Sequence, residues 1–449
     1  MDVIHSRCAG LDVHKKTVQA CIRCWNERGQ VSKEFREFGT MTGELLALGD
    51  WLAQHGVTQV AMESTGVFWK PVFNILEARF GVMLCNAQHV KNVPGRKTDI
   101  KDSEWLAQLL QFGLLRASFI PARPQRELRD LTRTRAGLQD EKARVCNRIH
   151  KILEDANIKL GSVATDILGV SGRAILNKLM AGQTAPAELA QCARGRLKKK
   201  KPQLEAALQG GVTDHHRFML RTEWEHLRSI EALIECLDAR IQLQVEGSEL
   251  SPVERPETAR PELNSADTSG RMPVPEAAPL KALPFLAAIK LLDSMWGIDQ
   301  ISAQNILAEI GTNMAQFPSD AHISSWTGIC PGNNQSAGKN KSGKTRKGNR
   351  WLRRALTQAA WAATHAKKSY FGAQYRRLVG RRGKQRALIA VAHSMLVAIY
   401  HMLKRHTEYA DLGVEYFEKK ARPLNPKSLV RQLQAMGFEV TLTPQRQAS

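Results

Sequence analysis

Two periods of hydrophobic and polar alternation succeed one another along the first 118 residues. "CAGLDVH", "TVQACIRCW" and "QVSKEFREF" have strand length and strand alternation, with short polar turns between them, and predict an antiparallel meander. "MTGELLALGDWLAQHG" changes to the helical spacing of apolar residues and stops at Gly56. "VTQVAME" predicts a short apolar strand and "GVFWKPVFNILEARFG" a helix closed by Gly81. "VMLCNA" predicts a fifth strand, and "TDIKDSEWLAQLLQFGLL" a last helix.

From about 119 to 245 the pattern becomes long, charged and helical. "RELRDLTRTRAGLQDEKARVCNRIHKILEDA" carries a loose apolar seam at Leu128, Leu131, Leu138, Val145, Ile149 and Ile152. A second long helix is expected in "FMLRTEWEHLRSIEALIECLDARIQLQ", with the basic run "ARGRLKKKKPQ" between the two. The pair reads as a coiled-coil arm for self-association or, equally on pattern, as an ordinary helical subdomain. Residues 246–279 are rich in Pro, Glu, Ser and Ala and read as a flexible linker. A third, mainly helical domain is expected at 280–420, with a less regular tail at 421–449. Three strands, then helix, strand, helix, strand, helix is the element order of the ribonuclease H-like α/β fold, which is the class expected for 1–118.

Charge sharpens this reading. Lys and Arg exceed Asp and Glu by 65 to 43, a formal net charge of +22. A surplus of that size points to a polyanionic partner, because each neutralised phosphate releases counterions. No run of about 18 apolar residues marks a membrane span, and "MDVIHSRCAGLDV" lacks the layout of a signal peptide. A cytoplasmic chain with free thiols is expected from its eight scattered cysteines. The "CIRC" pair at Cys21 and Cys24 has no second such pair, so zinc is not expected there.

Four carboxylates occupy the ends of predicted elements. Asp12 ends the first strand, Glu63 ends the fourth, and Asp99 and Asp102 open the last helix three residues apart, a spacing that would put both on one helical face. Neighbouring first and fourth strands, crossed by that helix, would bring the four together. Such a set repels itself unless cations bind between its members, and hard oxygen ligands suit Mg²⁺ or Mn²⁺. Arg96 and Lys97 precede Asp99 and could hold a phosphate. His14, beside Asp12, is given no catalytic role.

In the third domain, "MWGIDQISAQNILAEIG" has the shape of a helix-hairpin-helix element, which can offer backbone N–H groups to a phosphate. The segment "GNNQSAGKNKSGKTRKGNRWLRR" follows, with Ser336 just ahead of a run of cations and no carboxylate. With these blocks in place the chain resembles the transposases of insertion sequence family 110, also described as bridge-RNA-guided recombinases. The likeness rests on "GLDVHK", "AMESTG" and "GRKTDIKDSEWLAQLL", and on "SSWTGICPGNNQSAGK" and "RKGNRWLRRAL".

The resemblance implies a RuvC-like first domain whose DEDD carboxylate set falls on Asp12, Glu63, Asp99 and Asp102. It also implies a catalytic serine, which falls on Ser336 in "QSAGK", where many relatives have a double serine before two glycines. Lys339, Lys341, Lys344, Arg346, Lys347, Arg350 and Arg353 would then grip the DNA strand. The reading is a DNA transposase or recombinase working through a serine-linked intermediate on donor and target DNA. Carboxylate-bound divalent metals would assist it. A noncoding guide RNA and a homo-oligomer, dimer or tetramer, are implied as partners, with carboxylates of one protomer meeting Ser336 of another. The alternatives are a metal-dependent junction nuclease without a covalent intermediate, and a non-catalytic DNA-binding protein.

Overall fold

The meander forms three strands, β1 (Arg7–Val13), β2 (Thr17–Trp25) and β3 (Val31–Gly39), paired antiparallel in sequence order. The computed structural model describes residues 2–26, 29–64, 66–86, 90, 101–247, 282–331, 335–336, 339–340, 343–419 and 426–441. They fall into two units, Met1–Pro121 and Ala122–Ser449.

In the first unit β4 (Gln59–Glu63) pairs parallel with β1, and β5 (Gly81–Cys85) parallel with β4. The sheet order is β3-β2-β1-β4-β5. Alternation along each strand divides the core between two faces. Leu11, Val13, Val18, Ile22, Val60 and Met62 pack with α1 (Thr42–Gln54) and α2 (Trp69–Leu76). Cys8, Ala61 and Cys85 face α3 (Asp102–Gln111) through Leu106, Leu109 and Leu110. The unit is therefore an α/β layer with its sheet covered on both sides.

Two predicted helices are shorter than their apolar runs. α2 ends at Leu76, and Gly81 opens β5 instead of closing the helix. α3 begins at Asp102, because Lys101 is extended with ψ 147°. The carboxylates of Asp102 and Glu104 suit a helix start there, where the unpaired N–H groups carry partial positive charge. Asp99, expected on one helical face with Asp102, lies outside the described residues. Cys21 and Cys24 both sit on β2, three residues apart and so on opposite faces, and all eight cysteines are free thiols.

The second unit opens with α4 (Arg123–Asp155). A head of short elements follows: α5 (Leu160–Val163), α6 (Val170–Met180), α7 (Pro186–Ala190), a 3-10 helix (Gly195–Lys200) and α8 (Lys201–Ala207). The chain returns along α9 (Asp214–Glu246), antiparallel to α4. Gln244 reaches the carbonyl of Pro124 at one end, and His216 meets Asp155 at the other. The predicted seam is buried inside this one chain. Leu128, Val145 and Ile149 are fully covered, and Leu138 and Ile152 pack on the head cluster. The seam thus gives no argument for self-association. The linker expected at 246–279 lies, from 248 on, outside the described residues.

The rest of the unit is helical: α10 (Phe285–Asp293), α11 (Gln300–Ile310), α12 (Asp320–Thr327), α13 (Arg350–Thr364), α14 (Tyr370–Arg382), α15 (Lys384–Arg405), α16 (Tyr416–Lys419) and α17 (Pro426–Ala435). A two-stranded pair, β6 (Gln335–Ser336) and β7 (Lys339–Asn340), precedes α13. The tail expected to be irregular contains α17. By length and composition α15 could cross a membrane. Its apolar residues are instead the core of this unit, with Ala387, Val391, Met395, Leu396 and Ile399 buried.

Buried polar residues tie α4 to α11. The Arg135 guanidinium, 1% exposed, donates to Asp238 and Asn305 at 2.8 Å and to Gln304 at 2.9 Å. Glu309, also 1% exposed, accepts two 2.7 Å bonds from Arg133 and a third from the Asn349 side chain. Glu309 also stands 3.5 Å from Arg129, whose side chain is 11% exposed, so removing the carboxylate takes the counter-charge from a buried guanidinium. Glu309→Ala should therefore destabilise the unit by about 3–5 kcal/mol, read as a lower denaturant midpoint. An unchanged midpoint would show that Arg133 and Asn349 find water instead.

Candidate active site

In the first unit the sheet itself brings two carboxylates side by side. The last parallel pair of β1 and β4 is Leu11 with Met62, so Asp12 and Glu63 are the next residues along neighbouring strands. Both lie two positions beyond residues on the α3 side, Gly10 and Ala61, and so face α3 as well. Asp102, the first residue of α3, carries the third carboxylate. Its charge is felt at Asp12. Asp99, Arg96 and Lys97 lie outside the described residues.

Burial raises the Asp12 carboxyl above its ordinary value; His14 opposes the shift and the Asp102 charge adds to it. His14 Nε2 stands 3.2 Å from Asp12 Oδ2. Beside Glu63, burial pushes the Cys85 thiol up to about 12, and the Glu63 charge contributes in the same direction. Among the described residues no three His, Cys, Asp or Glu side chains are grouped closely enough to hold a metal ion. Asp12 and Asp102 offer carboxylate oxygens, the chemistry that divalent hard cations take, and a cation there would offset the repulsion between them.

The approach of α3 to β1 depends on Gly10. A Cβ at that position would stand 2.1 Å from the Ser103 carbonyl and 2.4 Å from the Ala107 nitrogen, both backbone atoms that cannot turn away. Gly10→Ala should push α3 off the sheet, at a cost of about 1–3 kcal/mol, and separate Asp102 from Asp12. The expected result is a lower melting temperature together with lost strand cleavage. Full activity in the variant would mean that the spacing between α3 and β1 is not needed.

In the second unit Ser336 pairs through its backbone with Lys339, the end pair of the β6–β7 ladder. Pro331 and Thr345 bridge further back. The base of this hairpin is a glycine contact. A Cβ on Gly348 would meet the Thr327 carbonyl and the Gly328 nitrogen at 2.5 Å, and Gly328 itself has φ +74°. Arg353 staples the same base, donating to the Gly328 carbonyl at 3.3 Å and to Thr345 Oγ1 at 3.0 Å. Asn349 caps α13 by accepting from the Trp351 and Leu352 N–H groups, while its amide donates to Glu309.

Among the predicted nucleic-acid contacts, Lys344, Arg346, Lys347 and Arg350 are exposed, with Arg350 4.8 Å over the Trp351 ring. Arg353 is occupied in holding the hairpin, and Lys341 lies outside the described residues. Glu309 and Asn349 lie inside the quoted blocks "MWGIDQISAQNILAEIG" and "RKGNRWLRRAL", and Arg133 on the first long helix, but nothing in those stretches assigns them to bracing the hairpin. Only the N-cap position of Asn349, ahead of an apolar helix, could have been read beforehand.

Comparison with known proteins adds two matches. Residues 9–158 match a DEDD transposase model of the IS110 type, and residues 289–376 match a model described as Transposase IS116/IS110/IS902 family. No curated protein matches the chain. The first match takes in the strands that carry Asp12 and Glu63 and the helix that carries Asp102. The second takes in the Ser336 hairpin with Glu309, Gly328, Gly348, Asn349 and Arg353, while Arg133 falls in the first. A family of this DEDD type suggests dependence on a divalent metal. With the two matches together covering more than half of the sequence, the chain belongs to the IS116/IS110/IS902 family of transposases and is a DNA transposase.

Proposed function

We propose that this transposase cuts and rejoins DNA through a phosphoserine link at Ser336, with Asp12, Glu63, Asp99 and Asp102 as the divalent-metal carboxylates of a ribonuclease H-like first unit. The observation that carries the carboxylate part is the shared face of Asp12 and Glu63 on adjoining parallel strands, with Asp102 opening the helix laid against them. The strand order β3-β2-β1-β4-β5 supports the fold assignment. Ser336 next to the end of a braced hairpin supports the nucleophile.

The chemistry is a balanced exchange. Ser336 Oγ loses its proton and forms a bond to phosphorus as the bond from phosphorus to one deoxyribose oxygen breaks, and that oxygen takes up a proton. A deoxyribose hydroxyl of the second DNA reverses the step and frees the serine, so the phosphodiester energy is kept and no ATP is consumed. A serine hydroxyl is a poor nucleophile unless activated. Bound Mg²⁺ or Mn²⁺ would supply charge neutralisation at the reacting phosphate and a lowered pKa for a nearby hydroxyl. Asp12, Glu63, Asp99 and Asp102 would hold it. Exposed Arg346 and Lys347 would draw the phosphate backbone to the hairpin.

The test is to trap the protein on labelled element-end DNA, digest it and map the modified peptide. Phosphate on Ser336 is expected, and cleavage with no adduct on any residue would sink the serine link. A noncoding guide RNA and a homo-oligomer are supported by the resemblance alone. Sequencing RNA that copurifies with the protein, and weighing the particle by light scattering, address them.

A further inference from the structure

We infer that the 3-10 helix of the arm head, with the residues flanking it, is a second phosphate-binding surface that grips duplex DNA flanking the cut site. Arg194, Arg196, Lys198, Lys199, Lys200 and Lys201 lie there within eight positions, and all six are exposed. None of them pairs with a carboxylate among the described residues. Three cations on the long helices of the arm are, by contrast, paired. Lys142 meets Glu231 and Arg148 meets Glu223, both at 2.7 Å, and Arg135 meets Asp238 at 2.8 Å. Six unpaired like charges repel one another, and a polyanion is what would relieve them.

The surface is held in place from beneath. Ala193 and Leu204 on either side of it are buried, and Leu197 packs on the same apolar cluster. The backbone N–H of Arg194 donates to Ser171 Oγ at 2.8 Å. At three residues per turn, Leu197 and Lys200 share one row of the 3-10 helix, which leaves Arg196 and Lys199 in a second and Lys198 in the third. Arg196, Lys198 and Lys199 therefore stand in rows away from the anchor, and Lys200, at the end of the helix, is exposed as well.

Position selects the occupant. Arg133 of α4 binds Glu309, which holds the base of the Ser336 hairpin, while Leu153 at the far end of α4 belongs to the head cluster. From Arg133 to Leu153 the helix rises about 30 Å. That is roughly nine base pairs of duplex at ~3.4 Å each, too far for the reacting phosphodiester and well placed for its flank. Duplex DNA is the occupant chosen because a DNA transposase already has such a flank in hand.

The experiment replaces Lys198, Lys199, Lys200 and Lys201 together by Gln, and in a second variant by Arg. Binding is measured against salt for two duplexes centred on the cleaved bond. One has about five base pairs on each side and the other about twenty. The Gln variant should bind the longer duplex about tenfold or more weakly, with the log K against log [salt] slope flattened by up to about 0.9 per lost contact. It should match wild type on the shorter one, and the Arg variant should match wild type on both. Unchanged slopes, or equal losses on both duplexes, would overturn the assignment. So would a loss confined to RNA of the same lengths. An unchanged melting temperature shows that the Gln variant is folded, and the Arg variant separates charge from packing if it is not.

Discussion

Ser336→Ala should leave no covalent protein–DNA adduct and should lower strand transfer on the order of 10⁴-fold or more, the scale on which loss of a nucleophile is felt. Binding of the same DNA should fall little, because Arg346, Lys347 and Arg350 remain exposed for the backbone. The stability of the unit should not change. The hairpin base is held by Gly328, Gly348, Arg353 and Asn349, none of which depends on a serine at the β6–β7 end pair. The measurement is adduct on labelled DNA after denaturation, beside binding by gel shift and a thermal melt. Residual adduct in the Ala variant would move the nucleophile to another residue. Lost adduct together with lost binding would leave the serine a phosphate contact.

Asp12→Asn should lower strand cleavage on the order of 10³-fold or more while leaving the first unit at least as stable as wild type at neutral pH. The sign follows from the raised carboxyl pKa, caused first by burial, against His14 and with Asp102 adding. A carboxyl raised in the folded state contributes stability fully below its unfolded value, and that contribution is lost as pH rises through the folded value. Once ionised, Asp12 is a net cost to the fold, and the amide removes that cost. Mg²⁺ should raise the melting temperature of the wild type, since a ligand that binds only the folded state stabilises it by mass action. It should do so less in Asp12→Asn. Full cleavage in EDTA, with a melting temperature indifferent to Mg²⁺, would remove the metal from the mechanism. A variant markedly less stable than wild type at pH 7 would mean that the His14 contact outweighs the burial of Asp12.

Much of the first unit was legible in the chain. The strand and helix periods from "CAGLDVH" to "VMLCNA" located β1 to β5, since alternation registers which side of a strand is covered. Asp12 and Glu63 could be set at strand ends because each polar residue closes an apolar run. The start of α3 was misplaced by several residues. "TDIKD" offers several acidic or polar starts, and which one caps the helix depends on the backbone before it, where Lys101 turns out to be extended.

In the second unit the limit was of another kind. A seam at Leu128, Val145 and Ile149 states that one side of α4 is apolar, and it does not state what covers that side. A partner chain and the returning α9 would leave the same pattern. The head elements between Leu160 and Ala207 bring α9 back, and the seam is consumed within the chain. Ser336 could be singled out by its place before a cation run, and both family blocks could be read, because short-range order is enough for each. Arg353 looked like one more cation of that run. Its engagement with Gly328 and Thr345 depends on a hairpin that closes over more than twenty residues. Glu309 and Arg133 stand 176 positions apart and meet only when α11 packs on α4. Periodicity and local spacing are properties of neighbours along the chain. A buried ion pair between distant helices is a property of how the chain returns on itself, and it leaves no local trace to read.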